Sequence, residues 1–329
     1  MIPLLPLYAA GAVLRWVGSK PKRLAWPVIS VGNLSAGGTG KTPFTIALAG
    51  LLEREGFRVD VLSRGYGRSG NAVERVDPDG SAERFGDEPL LIAREAGVPV
   101  YVGAQRFEAG ALAELGKEAI GGAHLPVHLL DDGFQHRQLA RLMDIVLVNS
   151  EDLDDWLIPA GNLREGLGGL RRASVFAVPA GDDAAVECLR RLNFEQPIWR
   201  FRREMTVPDM IVPRIAGPVV AFCGIARPEQ FFSGLEQAGI RVAAQRVFRD
   251  HHRFTARDLT LLMDLAKKFN ATALVTTEKD RIRLGGLVAE SSPATPIVTA
   301  GLRVVLEDET DVVRWLRAAL KGDSGKLSL

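Results

Sequence analysis

Between Gly32 and Pro43 the chain runs Gly-Asn-Leu-Ser-Ala-Gly-Gly-Thr-Gly-Lys-Thr-Pro, directly behind the apolar run Pro27-Val28-Ile29-Ser30-Val31. A strand, a glycine-rich loop and a helix in that order form a phosphate-binding unit. Gly37, Gly38, Thr39 and Gly40 let backbone N–H groups turn inward around phosphate oxygens. Lys41 reaches the outer phosphates, and Thr42 offers its hydroxyl to Mg²⁺ as the helix begins. The expected ligand is ATP or GTP with Mg²⁺. Ser35 stands where the full pattern has its first glycine, five residues before Gly40, so the match is Gly-x-Gly-Lys-Thr with a relaxed first position.

Around this unit hydrophobic runs alternate with helical patterns, the signature of a mostly parallel sheet with helices on both faces. Strands are expected at 28–31, 58–62, 98–102, 127–130, 145–148 and 175–178, and helices at 42–55, 88–96, 106–115 and 187–192. The polar stretch 69–84 reads as a hairpin or mobile loop outside the core. Residues 198–202 alternate like a strand and read as a linker ribbon. A second series follows, with strands at 219–223, 241–247, 272–276 and 296–298 and helices at 228–238, 255–269 and 311–320. The chain is therefore expected to be P-loop NTPase-like α/β, with a nucleotide-binding domain over 1–207 and a smaller C-terminal α/β domain over 208–329.

Composition narrows the partners. Forty-one Lys and Arg against forty Asp and Glu leave a net charge of +1, so nothing in the overall charge points to nucleic acid. Cys188 and Cys223 show no metal-ligand spacing. The N-terminus is unusual: no acid precedes Glu53, and Arg15, Lys20, Lys22 and Arg23 follow an uncharged apolar stretch, Met1 to Leu14. That stretch falls short of the roughly 20 apolar residues that span a bilayer. Two readings remain, an interfacial helix with Leu4, Leu7, Tyr8, Leu14 and Trp16 in the headgroup boundary, or a helix packed on the domain.

Beyond the loop, chemistry concentrates in a few short segments. Asp131 and Asp132 end an apolar strand, where a phosphate-loop protein places a carboxylate that holds Mg²⁺. Gln135, His136 and Arg137 follow directly. Asp87 and Glu88 open an apolar helix, which makes them either caps or functional acids. Arg64 and Arg68 flank Gly65-Tyr66-Gly67 after a strand and suit phosphate recognition. His251 and His252 are adjacent, so they diverge and form no metal site, but either could orient a carboxylate. Thr276-Thr277-Glu278-Lys279-Asp280 closes a strand without the order of a guanine-reading motif.

Taken together, the phosphate loop, Ser63-Arg64-Gly65-Tyr66-Gly67, Gly86-Asp87-Glu88-Pro89, Asp131-Asp132-Gly133-Phe134-Gln135-His136, Leu163-Arg164-Glu165, Asp250-His251-His252 and Thr276–Asp280 resemble the tetraacyldisaccharide 4′-kinase family of lipid A biosynthesis. The resemblance implies a peripheral protein at the cytoplasmic face of the inner membrane, with the smaller domain closing over the site. It implies transfer of the γ-phosphate of ATP to the 4′-hydroxyl of a tetraacylated glucosamine disaccharide 1-phosphate, and it implies no obligate protein partner. On the family pattern Asp87 is the base with His251 as partner, His252 being the alternative, while Lys41 and Asp132 assist catalysis. Arg64, Tyr66, Arg68, Gln135, His136, Arg164 and Glu165 are then the acceptor contacts, and Thr42, Asp131 and Asp132 the metal ligands. Two departures stand out: Gly166 replaces the family's proline and Ser174 its aspartate, which is expected to loosen the loop beside Glu165. The competing readings are a soluble small-molecule kinase and a nucleotide-driven switch. The second is disfavoured because Asn33-Leu34-Ser35 lacks the extra lysine such switches often carry.

Overall fold

The computed structural model describes residues 20–116, 125–207, 217–290 and 295–324. The N-terminal segment expected to meet the membrane lies outside them, as does the expected domain boundary near 208. The first half runs β1 (Val28–Asn33), α1 (Lys41–Arg54), β2 (Arg58–Ser63), β3 (Glu74–Arg75), α2 (Ala82–Phe85), α3 (Asp87–Glu95), β4 (Val100–Val102), α4 (Arg106–Leu115), β5 (Pro126–Asp131) and β6 (Met143–Leu147). It continues through α5 (Ser150–Leu153), β7 (Val175–Pro179), α6 (Asp183–Arg191) and β8 (Ile198–Thr206). The second half contains β9 (Val219–Cys223), α7 (Pro228–Gln237), β10 (Val242–Val247), α8 (Ala256–Lys268), β11 (Ala273–Thr277), α9 (Glu278–Leu284), β12 (Ile297–Leu306) and α10 (Glu309–Ser324).

All these strands join one sheet of order β10-β9-β11-β12-β8-β7-β6-β1-β5-β2-β4-β3. Pairing is parallel throughout except at β8–β12 and β3–β4. Every residue of β1 is buried, as expected for a central parallel strand covered on both faces. Helices α1, α3 and α10 cover one face around Ile29, Leu48 and Leu316, while α4 and α6 cover the other through Ala109 and Ala185. Strand β1 lies between β5 and β6, so the chain departs in opposite directions on its two sides. That switch point opens a crevice at the carboxyl ends of the strands, where the glycine loop sits.

The two halves are less separate than the sequence pattern suggests. β8 is a full strand of the sheet rather than a linker, parallel to β7 on one side and antiparallel to β12 on the other. β12 extends well past the expected 296–298 and serves both halves: residues 297–300 pair with β11 and 301–306 with β8. The chain then returns to the first half. Val312, Leu316 and Leu320 of α10 enter its core, and Trp315 meets Trp199 edge-on with ring centroids 5.6 Å apart. The stretch 69–84 also corrects the expectation of a loop outside the core. Val76 is buried, β3 pairs with β4, and Ser81 caps α2 by accepting from the Arg84 N–H.

One close approach fixes the site. A side chain at Gly32 would place its Cβ 2.6 Å from Phe134 Cβ and 2.8 Å from the Phe134 backbone nitrogen. Only hydrogen there lets the turn after β5, which carries Asp132, lie against the strand that leads into the phosphate loop. Gly32→Ala is expected to cost about 1–3 kcal/mol through overpacking, read as a lower urea midpoint, with turnover falling alongside. An unchanged midpoint would mean the turn is free to move away.

Candidate active site

The carboxyl ends of the central strands and the starts of the following helices line a cleft of about 1910 Å³. An ordinary small-molecule pocket is about 300–1,000 Å³, so this one has room for two substrates. Lys41, the first residue of α1, turns back across its loop with Nζ 3.0 Å from Asn33 Oδ1, 3.4 Å from the Gly37 carbonyl and 3.6 Å from Asp132 Oδ1. Among the described residues the buried Thr39 hydroxyl has no hydrogen-bond partner, and the first turn of α1 holds no acid. An orphaned hydroxyl beside the unpaired N–H groups of a helix start is complementary to an anion. Gly37, Gly38 and Gly40 line the same wall.

The two aspartates behave differently. Asp131, at the end of β5, is 2% exposed and accepts from Thr45 Oγ1 at 3.2 Å. Burial pushes its carboxyl up to about 7, with Glu88 and Asp132 adding to the effect against Lys41 and Lys279. Such an undercompensated carboxylate fits a divalent cation, and Thr42 lies buried at the start of α1. Among the described residues no three His, Cys, Asp or Glu side chains form a metal cage, so an ion here would draw most of its ligands from phosphate and water, as Mg²⁺ usually does. Asp132 takes a positive φ of 48° and accepts from Arg164 Nη1 at 3.0 and 2.9 Å. Burial disfavours its charge, but Lys41 and Arg164 outweigh burial and hold it below the usual carboxylate range.

Asp87 is buried at the first position of α3. Gly86, with φ of +89° and its Cβ position 3.0 Å from the Tyr66 carbonyl, is the residue that lets the chain enter the helix there. One carboxylate oxygen accepts the Glu88 N–H at 3.0 Å. The other faces the second half of the chain, where His251 Nδ1 lies 3.1 Å away and Arg283 donates from Nε at 2.8 Å and again from Nη2. Burial alone would raise the Asp87 carboxyl, but the His251 hydrogen bond and the charges of Arg283 and Lys279 hold it well below the usual range. The hydrogen bond to Asp87 raises His251 in turn, against partial desolvation. His252 is occupied elsewhere: its Nε2 is 3.1 Å from Asp258 Oδ2 in the cap of α8, and its ring stacks on Phe248.

The remaining expected residues divide. Arg64, Tyr66, Gln135, His136, Arg164 and Glu165 all line the cleft. Tyr66 is 64% exposed, with its ring centroid 5.4 Å from that of His251. Arg68 is not among the cleft-lining residues; its Nη1 donates to the Ala72 carbonyl at 2.7 Å and braces its own loop. Nor is the loop at Glu165 loosened. Arg172 donates to both carboxylate oxygens at 2.8 Å, Arg137 donates at 3.1 Å and Gln135 Nε2 at 3.2 Å. Gly166 has φ of −69°, a value proline itself adopts, and the Ser174 hydroxyl accepts the Asp144 N–H at 3.1 Å. The structure adds Arg106, Arg203 and Arg283, which no motif marks: Arg106 and Arg203 line the cleft, and Arg283 ties Asp87 to Asp280. It also gives Lys279 and Glu88, each inside a quoted segment but without an expected role, a pairing at 2.6 Å.

Nearly the whole chain resembles proteins of one kind. The sequence family described as Tetraacyldisaccharide-1-P 4′-kinase matches residues 1–321. Tetraacyldisaccharide 4′-kinase of Koribacter versatilis is 43% identical over 305 residues, covering 89% of this chain and 91% of that protein. The protein of the same name from Dechloromonas aromatica is 37% identical over 305 residues, covering 90% and 87%. A crystal structure of LpxK from Aquifex aeolicus in complex with ATP aligns with a TM-score of 0.73 at 33% identity, over 96% of this chain and 98% of that one. With a match of this length in both sequence and fold, the chain belongs to the tetraacyldisaccharide-1-P 4′-kinase family.

Proposed function

We propose that this chain transfers the γ-phosphate of ATP to the 4′-hydroxyl of a tetraacylated glucosamine disaccharide 1-phosphate. The observation that carries this reading is the meeting, in one cleft, of the phosphate loop and His251, which is hydrogen bonded to the buried Asp87. A nucleotide-driven switch has no use for a histidine–carboxylate pair beside its phosphate loop. A soluble small-molecule kinase would not need a cleft of this size.

In the proposed reaction Lys41 leaves Asn33 and Gly37 for the outer phosphates, and Thr39 and the first N–H groups of α1 hold them. Thr42 and Asp131 would hold Mg²⁺, which supplies charge neutralisation on the phosphates. Asp132, paired with Arg164, keeps Lys41 directed into the cleft. Asp87 receives the hydroxyl proton, and His251 and Arg283 keep it ionised and aimed. Arg64, Tyr66, Gln135, His136 and Glu165 line the acceptor side. No described helix is long and apolar enough to cross a membrane, and we assign the acid-free N-terminal segment to the membrane surface, where the lipid acceptor resides. Liposome sedimentation of the chain lacking residues 1–17 tests that assignment: deletion is expected to reduce binding, and unchanged binding would reject it.

Radiolabelled ATP with the tetraacylated disaccharide 1-phosphate, followed by thin-layer separation, tests the activity, and absence of labelled lipid would overturn it. Lys41→Ala and Thr42→Ala are each expected to lose at least about 2 kcal/mol of transition-state stabilisation in kcat/KM. Near-normal turnover by both would reject the phosphate-loop assignment.

Asp87→Asn keeps an acceptor for Arg283 but removes basicity, so kcat is expected to fall roughly 10²–10⁴-fold with ATP affinity unchanged. His251→Gln should lose less, and the double variant less than the sum of the two. The pair also predicts a pH effect on stability. Because the folded His251 titrates above its unfolded value, its contribution is complete below about pH 6.5 and lost as pH rises through the folded value. Asp87 is depressed, so its own contribution disappears only in strong acid. The melting difference between parent and His251→Gln should therefore shrink from about pH 6 to about pH 9. A difference that grows with pH would contradict the ion pair.

A further inference from the structure

Arg141 is set back from the cleft, which it does not line, and its side chain is only 10% exposed. Its Nη1 donates to three carbonyls of one turn, those of Gly133 at 2.9 Å, His136 at 3.1 Å and Phe134 at 3.4 Å. Its Nε lies 3.2 Å from Oδ1 of Asp144, a buried residue of β6. Burial lowers Arg141 and raises Asp144, each against the charge of the other. A buried pair of this kind can give way to apolar side chains with little loss of stability. Stability alone therefore does not account for it, and what the guanidinium holds becomes the question.

The turn carries one charged wall of the site. Asp132 has φ of +48°, a form that a residue with a side chain keeps only where its neighbours impose it. Three restraints follow it directly. The Gly133 N–H donates to the Val31 carbonyl at 3.0 Å, the Phe134 ring is wholly buried with the Arg172 guanidinium 4.4 Å from its centroid, and three carbonyls gather on Arg141. From this turn Asp132 faces Lys41 at 3.6 Å and accepts from Arg164, while Gln135 Nε2 donates at 2.8 Å to the Asn33 carbonyl, where the phosphate loop begins. We propose that Arg141, held by Asp144, is a positioning residue for phosphoryl transfer, setting the turn 132–136 so that Asp132 directs Lys41 into the cleft. This deepens the kinase reading above and rests on it for the reaction.

The test uses Arg141→Lys, because Arg141→Met would leave Asp144 a buried charge without a partner. Lysine keeps the charge but has one nitrogen to divide between Asp144 and the three carbonyls, so the fold should survive and the turn loosen. Arg141→Lys, Asp132→Asn and the double variant are compared in the full-length chain, with Leu316→Ala, in the core under α10, as a destabilised control. ATP affinity is read by calorimetry without acceptor, and kcat from labelled lipid. Arg141→Lys is expected to lower kcat roughly 10-fold and ATP affinity about threefold, as for a charge-assisted contact loosened rather than removed, with acceptor KM unchanged. Asp144→Asn, which leaves Arg141 its carbonyls but not its anchor, should lose in the same direction and by less. Because Arg141 acts through Asp132, the double variant should lose less than the sum of its two single losses, in ATP affinity as in kcat. Leu316→Ala should melt below the parent and keep the parent's ATP affinity and kcat. Full additivity in the double variant, parent values in both Arg141→Lys and Asp144→Asn, or matching losses in Leu316→Ala would each make Arg141 a structural residue. The calorimetric comparison needs no turnover, so failure of the kinase reading would show separately, as a parent enzyme that labels no lipid.

Discussion

Asp87 is the point at which the two halves of this molecule depend on each other. Its carboxylate belongs to α3 in the first half, while His251 and Arg283 belong to the second, and Lys279 meets Glu88 one residue further on. Arg283 also donates to the Gly224 carbonyl and to Asp280, whose other oxygen accepts the Gly224 N–H. A buried ion pair contributes little net stability but is costly to break on one side. It therefore fixes position more than it adds stability. Removing this carboxylate would leave Arg283 buried at the seam without its partner from the first half.

The joint at β8 and β12 makes that dependence mechanical. Both strands run across the seam, and Arg203 of β8 donates to the Thr39 carbonyl of the phosphate loop at 2.6 Å and to Gln230 of α7 at 3.3 Å. Ala226, ahead of α7, lies 3.7 Å from the Cβ position of Gly38. The loop thus lies beside the second half as well as being joined to it through the sheet. Arg203, rooted in the seam, thus contacts both the loop and a helix beyond it.

Much of this was legible in the residues because the informative interactions are local. The phosphate loop, the end of β5 and the helix start at Asp87 each occupy a short segment whose backbone form follows from glycine, apolar runs and acids at a helix N-terminus. What was not legible lies across long separations. Arg283 and Lys279 reach partners 196 and 191 residues away; nothing local marks Arg283, and the segment that holds Lys279 does not say which residue it pairs with. Arg106 is a lone arginine at a helix start, and only the packed structure shows it buried in the cleft wall. Arg64 and Arg68 looked equivalent, but the turn between them sends one to the cleft and the other to the Ala72 carbonyl. β12 was read too short because Gly301 and Arg303 interrupt its apolar run where it passes from β11 to β8.

The low titration of Asp87 bears on the chemistry assigned to it. A general base works best near the operating pH, and Asp87 is held far from that by His251 and Arg283. For a base that must abstract a proton from a neutral alcohol at the outset, this would be a poor arrangement. Phosphoryl transfer proceeds through a loose transition state, in which the attacking hydroxyl becomes strongly acidic only as its bond to phosphorus forms. A weak base suffices at that stage, provided that it is ionised and already in line. Burial works against ionisation, and Arg283 supplies the charge that restores it. On the proposed reading, the guanidinium that bridges the two halves is also what keeps a buried carboxylate ionised for a late proton.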